Sequence, residues 1–135
     1  MSYALSTTLH TTFQDAVERT RKALADQGFG VLTEIDMKAT LKAKLGEDVE
    51  DYLILGACNP PLAHRAMTAD RQIGLLLPCN VVVRADTAAG ADTVIVDAMD
   101  PQVMVALSDQ PGMREVADEA AAKLRAALDA LDGGD

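Results

Sequence analysis

The hydrophobic and polar positions along the chain follow two different spacings, which predict helices and strands. Apolar residues three or four apart predict a helix that starts after Thr11 or Thr12 and stops at Gly28. A second long helix is predicted over 109–132, followed by Gly133-Gly134. Its apolar stripe consists of Met113, Val116, Ala120, Leu124, Ala127, Leu128 and Leu131.

Segments rich in β-branched and apolar residues predict the strands of a sheet. They are 3–9, 30–36, 51–58, 72–85 and 93–99. Pro78 is expected to bend or bulge the fourth strand, because proline cannot donate to a strand ladder. Two short helices are predicted between strands, one from Asp36 to Gly46 and one capped by Asn59 with Pro60 at its first position. This order of elements predicts a single α+β domain over residues 1–135, with a core of about 3–131.

The predicted strands are more apolar than a sheet with one solvated face requires. Leu75, Leu76 and Leu77 are consecutive, residues 81–83 are all valine, and 51–58 is apolar on both sides. We therefore expect the two longer helices to cover one face of a mostly antiparallel sheet. The short helices or a second subunit would cover the other face. A homodimer is the favoured arrangement, and a single wrapped chain is the alternative.

Composition and charge narrow the classes of function. The chain has 135 residues, of which 49% are hydrophobic, enough for one compact domain. Its net charge of -9 and its aromatic content of 3% argue against a nucleic-acid partner, which needs cationic and stacking side chains. Residues 1–85 carry ten acids and nine bases, whereas 86–135 carry eleven acids and three bases. The acidic second half is therefore either a solvated face or a docking surface for a basic partner.

No segment of the sequence is typical of a signal peptide or a membrane span. The first residues lack a basic start and an apolar stretch. The uncharged and strongly apolar run between Arg71 and Arg84 is shorter than the ~20 residues that cross a bilayer. The two cysteines are expected to be thiols rather than a disulfide framework. We expect a cytoplasmic protein with no membrane partner.

The candidate chemistry lies in two blocks that share a Cys-Asn pair. They read Gly56-Ala57-Cys58-Asn59-Pro60-Pro61 and Leu77-Pro78-Cys79-Asn80-Val81. Cys58 is predicted next to a helix N-terminus, where the partial positive charge favours a thiolate. The alternative for both cysteines is packing as small buried apolar groups, above all for Cys79 in an apolar strand. Asn59 is likewise explained as a helix cap.

A metal site is not predicted. If 52–58 and 73–83 pair as a hairpin, Cys58 lies opposite residue 73 and ~20 Å from Cys79, too far for a disulfide or a shared metal within one chain. Another strand order, or a dimer axis, would still allow the two cysteines to meet. The spacing Cys58-x5-His64…Cys79 matches no zinc pattern. His64, beside Arg65, is a candidate general base or anion contact, with a surface side chain as the commoner alternative. The familiar nucleotide-binding, nucleophile-elbow and metalloprotease motifs do not occur.

Several segments, taken in order, resemble the bacterial and archaeal domain-of-unknown-function family 302. They are 28–36, 40–41, 44–46, 52–60, 76–81 and 100–101. The resemblance spans about residues 3–131, and its most specific parts are Gly-Ala-Cys-Asn-Pro and Leu-Pro-Cys-Asn. It implies a β-α-β4-α fold similar to the TATA-binding-protein-like class, often as a homodimer, and it implies no activity. The likeness of fold does not bring DNA binding with it, since function depends on the site and this chain is acidic.

Three functions follow from these observations. The first is a dimeric module with a small-molecule ligand in a pocket lined by Cys58, Asn59, His64, Cys79 and Asn80. The second is a thiol-dependent enzyme or redox protein that uses Cys58. The third is a structural interaction protein that docks a partner through its acidic C-terminal half. The residues name no cofactor.

Overall fold

The structure is a computed structural model that describes residues 3–132. Its five strands form one antiparallel sheet in the order β1-β5-β4-β3-β2. The strands are β1 Ala4–His10, β2 Gly30–Asp36, β3 Tyr52–Cys58, β4 Cys79–Ala85 and β5 Thr93–Met99. The helices are α1 Phe13–Asp26, α2 Met37–Leu45, α3 Pro60–Ala69, α4 Gln102–Leu107 and α5 Met113–Asp132, with short 3₁₀ segments at Arg71–Leu76 and Thr87–Ala89. The predicted α+β class is confirmed.

Polar side chains fix where the first helices begin. The Thr12 side chain accepts a hydrogen bond from the Asp15 backbone N–H at 3.2 Å and caps α1. The Asp36 side chain accepts from Ala39 N–H at 2.9 Å and caps α2. Gly46 ends α2 with a left-handed backbone, φ +70°, which glycine adopts without a steric penalty. The predicted boundaries of these helices are confirmed. Each depends on a side-chain cap or a glycine conformation within a few residues of the helix end.

Helices α1 and α5 cover one face of the sheet, as predicted. Alternate strand residues point toward them and are buried, because successive side chains of a strand point to opposite faces. The main core cluster is Leu5, Leu9, Ala16, Ala23, Leu24, Phe29, Leu55, Ala57, Val81, Val83, Val94, Val96, Ala98, Leu124, Ala127, Leu128 and Leu131. Every residue of the predicted apolar stripe of α5 is buried. The predicted end at Gly133-Gly134 lies outside the described residues.

A second hydrophobic cluster lies beside the main core. It is formed by α3, the first 3₁₀ segment, α4 and the N-terminal half of α5. Its buried members are Leu62, Ala66, Ile73, Met104, Met113, Val116, Ala117 and Ala120. Helix α4 was not predicted, because its six residues are too few to show a periodicity. Helix α5 begins at Met113 rather than at 109, after Gly112 in a left-handed conformation.

The predicted long strand over 72–85 is wrong in its first half. Residues Arg71–Leu76 form a 3₁₀ segment, capped by the Asp70 side chain, which accepts from Gln72 N–H at 3.0 Å. Ile73 is buried in the second cluster, whereas Leu75 is 86% exposed. The run of leucines was therefore not a strand buried on two sides, and β4 begins only after Pro78.

The other face of the sheet carries half-buried and exposed side chains. One row of cross-strand partners crosses all five strands: Ile35, Ile54, Val82, Asp97 and Ser6. Helix α2 contacts β2 and β3 but buries none of its own residues. The short helices thus do not bury this surface, which we call the open face.

Candidate functional site

The two Cys-Asn blocks meet where β3 ends and β4 begins. Ala57 is the cross-strand partner of Cys79, which places Cys58 beside Pro78. The predicted pairing, with Cys58 opposite residue 73, is wrong because the preceding residues form a 3₁₀ segment instead of a strand. The two cysteines are therefore close neighbours, and the separation of ~20 Å inferred from strand rise does not hold.

Cys58 and Cys79 line a small cavity between the end of the sheet and α3. Its volume is about 30 Å³, somewhat more than one water molecule needs. Asn59 and Met104 also line it, and the remaining walls are apolar side chains, including Phe29, Leu62, Ala66 and Leu77. The cavity therefore suits a ligand of one or a few heavy atoms with an affinity for sulfur or hydrocarbon.

The two thiols differ in exposure. Cys79 is 6% exposed, and burial raises the pKa of Cys79 to about 11, with a further contribution from nearby Cys58. Its thiol is therefore protonated at neutral pH. Cys58 follows Ala57, which faces the helices, so strand alternation turns Cys58 away from them and leaves it half-buried. Both cysteines are free, and Cys58 is the accessible one.

Asn59 joins α3 to the turn that follows α1. Its Oδ1 accepts a hydrogen bond from Leu62 N–H at 3.4 Å, and its Nδ2 donates to the Gln27 carbonyl at 3.4 Å. Gly28 allows this approach: it has φ +86°, and a Cβ at this position would lie 3.1 Å from Asn59 Nδ2. Both ends of the Asn59 amide are thus engaged by backbone, so the residue positions α3 beside the cavity.

His64 lies outside the cavity. Leu62 and Ala66, four residues apart on α3, point into the second cluster, so His64 is turned to the exposed side of the helix. There it lines a wide, open groove of about 500 Å³ together with Arg65 and Glu115. Arg65 is paired with Glu119 at 2.6 Å. The predicted grouping of His64 with the cysteines is therefore not found.

Asn80 also lies away from the cavity. It follows the buried Cys79 in β4, so its side chain is on the open face, where it is exposed. The structure thus brings together Cys58, Asn59 and Cys79 and separates His64 and Asn80 from them. A single pocket lined by all five predicted residues does not form.

Sequence reasoning missed two contributors to this region. Met104, which is 2% exposed, reaches the cavity from α4, and no pattern in so short a helix signals that contact. Gly56 is required because Thr33 and Pro78 lie over it: an added Cβ would overlap Thr33 Oγ1 and lie 2.8 Å from Pro78 Cγ. A glycine within an apolar strand is the signal for such a close approach.

Several acids of the second half of the chain have partners within the fold. Asp97 accepts from Arg84 Nε at 3.1 Å, Glu119 pairs with Arg65, and Asp118 accepts from Gln102 at 2.7 Å. Among residues 3–132, no group of three or more His, Cys, Asp or Glu side chains is arranged to hold a metal ion. None of the helices within this range has the length and apolar character needed to cross a membrane.

Fold and site together define an α+β protein with two helices on one sheet face and a thiol-lined cavity at the sheet's end. The chain matches the family described as "Domain of unknown function DUF302" over residues 5–131, and it belongs to that family. It is similar to the crystal structure of an uncharacterized conserved DUF302 protein from Bacillus stearothermophilus. The two are 28% identical with a TM-score of 0.84, over 96% of this chain and 98% of that chain. No curated protein matches the chain.

Proposed function

We propose that the chain is a small-ligand-binding module whose site is the cavity lined by Cys58 and Cys79. The observation that carries this proposal is the β3–β4 register, which pairs Ala57 with Cys79. That register brings two sequence-distant Cys-Asn blocks to one cavity. Asn59 holds α3 against the same cavity through its two backbone hydrogen bonds.

The chemistry of the walls limits the ligand. A volume of about 30 Å³ accommodates few heavy atoms. Apolar walls disfavour a hydrated or strongly charged organic group, because its lost hydration is not replaced. Sulfur is the reactive element at the cavity, so the ligand is a small species that binds or reacts with thiols.

Native mass spectrometry of the protein purified from its own host tests this proposal. We expect the wild-type chain to carry a stoichiometric added mass that Cys58→Ser removes. Ala63→Val narrows the cavity and is expected to remove the mass as well, whereas Ala39→Val on the exposed side of α2 keeps it. Both changes put the same β-branched residue into a helix, so they share the same cost in helix propensity. A native wild-type chain of bare mass would contradict the proposal.

A second candidate function uses Cys58 as a nucleophile. The observation in its favour is the contrast between an accessible Cys58 and a buried, protonated Cys79. The rate of alkylation by iodoacetamide at neutral pH measures the nucleophilic reactivity of Cys58, since its Sγ displaces iodide and forms a carbon–sulfur bond. A Cys58 that reacts no faster than the same thiol in the unfolded chain would exclude this function.

The module is a homodimer that associates through the open face. A solvated face of an antiparallel sheet is normally polar, yet Ile35, Ile54 and Val82 form an aliphatic half-row here. Ile35 is 46% exposed. Arg84 and Asp97 on the same face neutralise each other, so a second copy related by a twofold axis meets no net repulsion from this pair. A second copy of the chain is therefore the occupant that fits this face.

Light scattering coupled to size-exclusion chromatography tests this association. We expect a dimer for the wild-type chain and a folded monomer for Val82→Glu. Leu107→Glu is the matched control, because it places the same charge at an apolar residue that is 68% exposed elsewhere. A wild-type monomer at high protein concentration, or a Val82→Glu dimer, would refute the proposed interface.

A further inference from the structure

A polar groove adjoins the cavity, and we call it the Lys123 groove. It has a volume of about 470 Å³, and its lining includes Asp26, Gly28, Asn59, Leu62, Glu119 and Lys123. We propose that the cavity and the Lys123 groove are two parts of one binding site, and that its ligand is a small carboxylate. The apolar end of the ligand lies in the cavity, against Cys79, and its carboxylate lies in the groove. The inference rests on the proposed function, because it adds a second part to the ligand of the same cavity.

The same three parts of the chain line both spaces. After α1, Gly28 lines the groove and Phe29 lines the cavity. In α5, Lys123 lines the groove, and Ala120, almost one turn earlier, lines the cavity. Leu62 of α3 lines both. The two spaces are therefore neighbours, and a molecule that is too long for the cavity can extend into the groove.

The side chain of Asn59 also lines both spaces, and the residue is 8% exposed. Its Nδ2 donates to the Gln27 carbonyl at 3.4 Å, which is long for such a hydrogen bond. An amide nitrogen carries two N–H donors, and among residues 3–132 this nitrogen has no second acceptor. Asn59 can therefore donate to a carboxylate at the junction of the cavity and the groove.

Lys123 supplies the positive charge that a carboxylate needs. It is half-buried, and within the described part of the chain no acid forms an ion pair with it. The two acids of the groove have other partners. Asp26 pairs with Lys22 at 3.0 Å. Glu119 pairs with Arg65 at 2.6 Å. Lys123 is therefore the uncompensated charge of the groove, and an anion beside it gains a charge-assisted hydrogen bond.

The two parts of the site suit opposite ends of such a ligand. The cavity of about 30 Å³ takes few atoms, and its walls are mostly apolar, so it suits a short hydrocarbon end and disfavours a charge. The Lys123 groove is open to solvent, so a carboxylate there keeps part of its hydration while it contacts Lys123. A cationic ligand would instead meet a lysine of the same charge.

Titrations with butyrate and butyramide, followed by backbone amide NMR shifts, test the carboxylate position. The two probes have the same carbon skeleton and differ in charge. We expect the wild-type chain to bind butyrate about 5-fold more tightly than butyramide, as one solvent-accessible ion pair allows. Lys123→Met should remove this preference. Lys44→Met is the matched control, because it removes the same charge from a lysine of α2 outside the groove.

A second pair of variants tests the cavity end of the ligand. Ala63 lines the cavity and not the groove, so Ala63→Val should weaken the binding of both probes to the same extent. The preference for butyrate should survive this change. Ala39→Val, on the exposed side of α2, should leave the binding of both probes as it is in the wild type.

Each outcome of the titrations decides the assignment. A butyrate preference that is equal in Lys123→Met and Lys44→Met would overturn the carboxylate position. Undiminished binding in Ala63→Val would place the probes in the groove alone and overturn the shared site. A wild-type chain that binds neither probe, or that carries a native ligand without a carboxylate, refutes this inference alone. A chain that binds neither probe and has a bare native mass refutes the proposed function as well.

Discussion

Thr33 lies directly over Gly56 on the open face, where the two residues are cross-strand partners in β2 and β3. Pro78 closes the same space from the neighbouring side. We expect Gly56→Ala to destabilise the fold by about 1–3 kcal/mol, because a methyl group has no room there. Urea unfolding of both chains measures the change.

Two variants separate this close approach from the general effect of adding a methyl group. Thr33→Ala removes the nearest atom but leaves Pro78 in place, so it should restore part of the stability of Gly56→Ala. Gly30→Ala adds a methyl group at a strand position with no heavy atom within 4 Å and should be nearly neutral. A Gly56→Ala chain as stable as Gly30→Ala would contradict the close approach.

The buried Cys79 thiol makes stability fall at alkaline pH. In the unfolded chain a thiol ionises near its ordinary pKa of 9.0, whereas burial raises the pKa of Cys79 in the fold to about 11. Ionisation therefore favours the unfolded state, and the loss begins near pH 9 and grows until about pH 11. Relative to Cys79→Ala, the wild-type chain should lose about 1–3 kcal/mol over this window.

Urea unfolding at pH 7 to 11 measures this difference. Lysine and tyrosine side chains also titrate in the range, but they are shared by both chains and cancel in the comparison. Parallel stability curves for the wild type and Cys79→Ala would show that the thiol ionises equally easily in the fold and in the unfolded chain.

Asn59 is expected to stabilise the fold through its two backbone hydrogen bonds. Asn59→Ala removes the cap of α3 and the bond to the Gln27 carbonyl, at a cost of about 1–2 kcal/mol. Asn59→Ser keeps a side-chain oxygen at the cap of α3 and loses the amide donor to the Gln27 carbonyl, so its cost should be smaller. Thermal unfolding monitored by circular dichroism compares the two.

The matched control for Asn59 is Asp36→Ala, which removes the more exposed cap of α2. Its expected cost is smaller, because no second element depends on that side chain. Equal losses at Asn59 and Asp36 would show that the bond to the Gln27 carbonyl contributes nothing.

The ion pair between Arg84 and Asp97 should contribute little to the free energy of unfolding of a monomer. Its side chains are 33% and 23% exposed, and Ser6 also donates to Asp97. In the monomeric Val82→Glu chain, a double-mutant cycle with Arg84→Met and Asp97→Asn is expected to give a coupling of about 0.5–1 kcal/mol that weakens with added salt. In the proposed wild-type dimer the coupling should be larger and less sensitive to salt, and equal couplings in the two chains would contradict burial of the pair by a second copy.

The features of the fold that the sequence predicts correctly are those set by interactions between neighbouring residues. Thr12, Asp36 and Asn59 cap helices where the sequence indicated, and the apolar stripe of α5 is buried as its spacing required. The order β-α-β4-α with short added helices is likewise confirmed. These features depend on interactions between residues a few positions apart, which a sequence displays directly.

The register of β4 and the composition of the cavity were not predictable in the same way. The leucines at 75–77 are consistent with a strand or with a 3₁₀ turn, and only the packing of Ile73 into the second cluster distinguishes them. Because a 3₁₀ segment replaces the first half of the predicted strand, Pro78 rather than residue 73 lies opposite Cys58. Of the five predicted site residues, Cys58, Asn59 and Cys79 line the cavity, and Met104 joins them from α4. His64 and Asn80 do not, because their side chains lie on the exposed faces of α3 and β4.

Helix α5 belongs to both hydrophobic clusters at once. Its first half contributes residues from Met113 to Ala120 to the second cluster, and its second half contributes Leu124 to Leu131 to the main core. A helix turns about 100° per residue, so deleting one residue near Lys123 would rotate one half out of phase with the other. The number of residues between the two clusters is therefore fixed by geometry, and we expect insertions to be tolerated in the loops that flank this helix but not between the clusters.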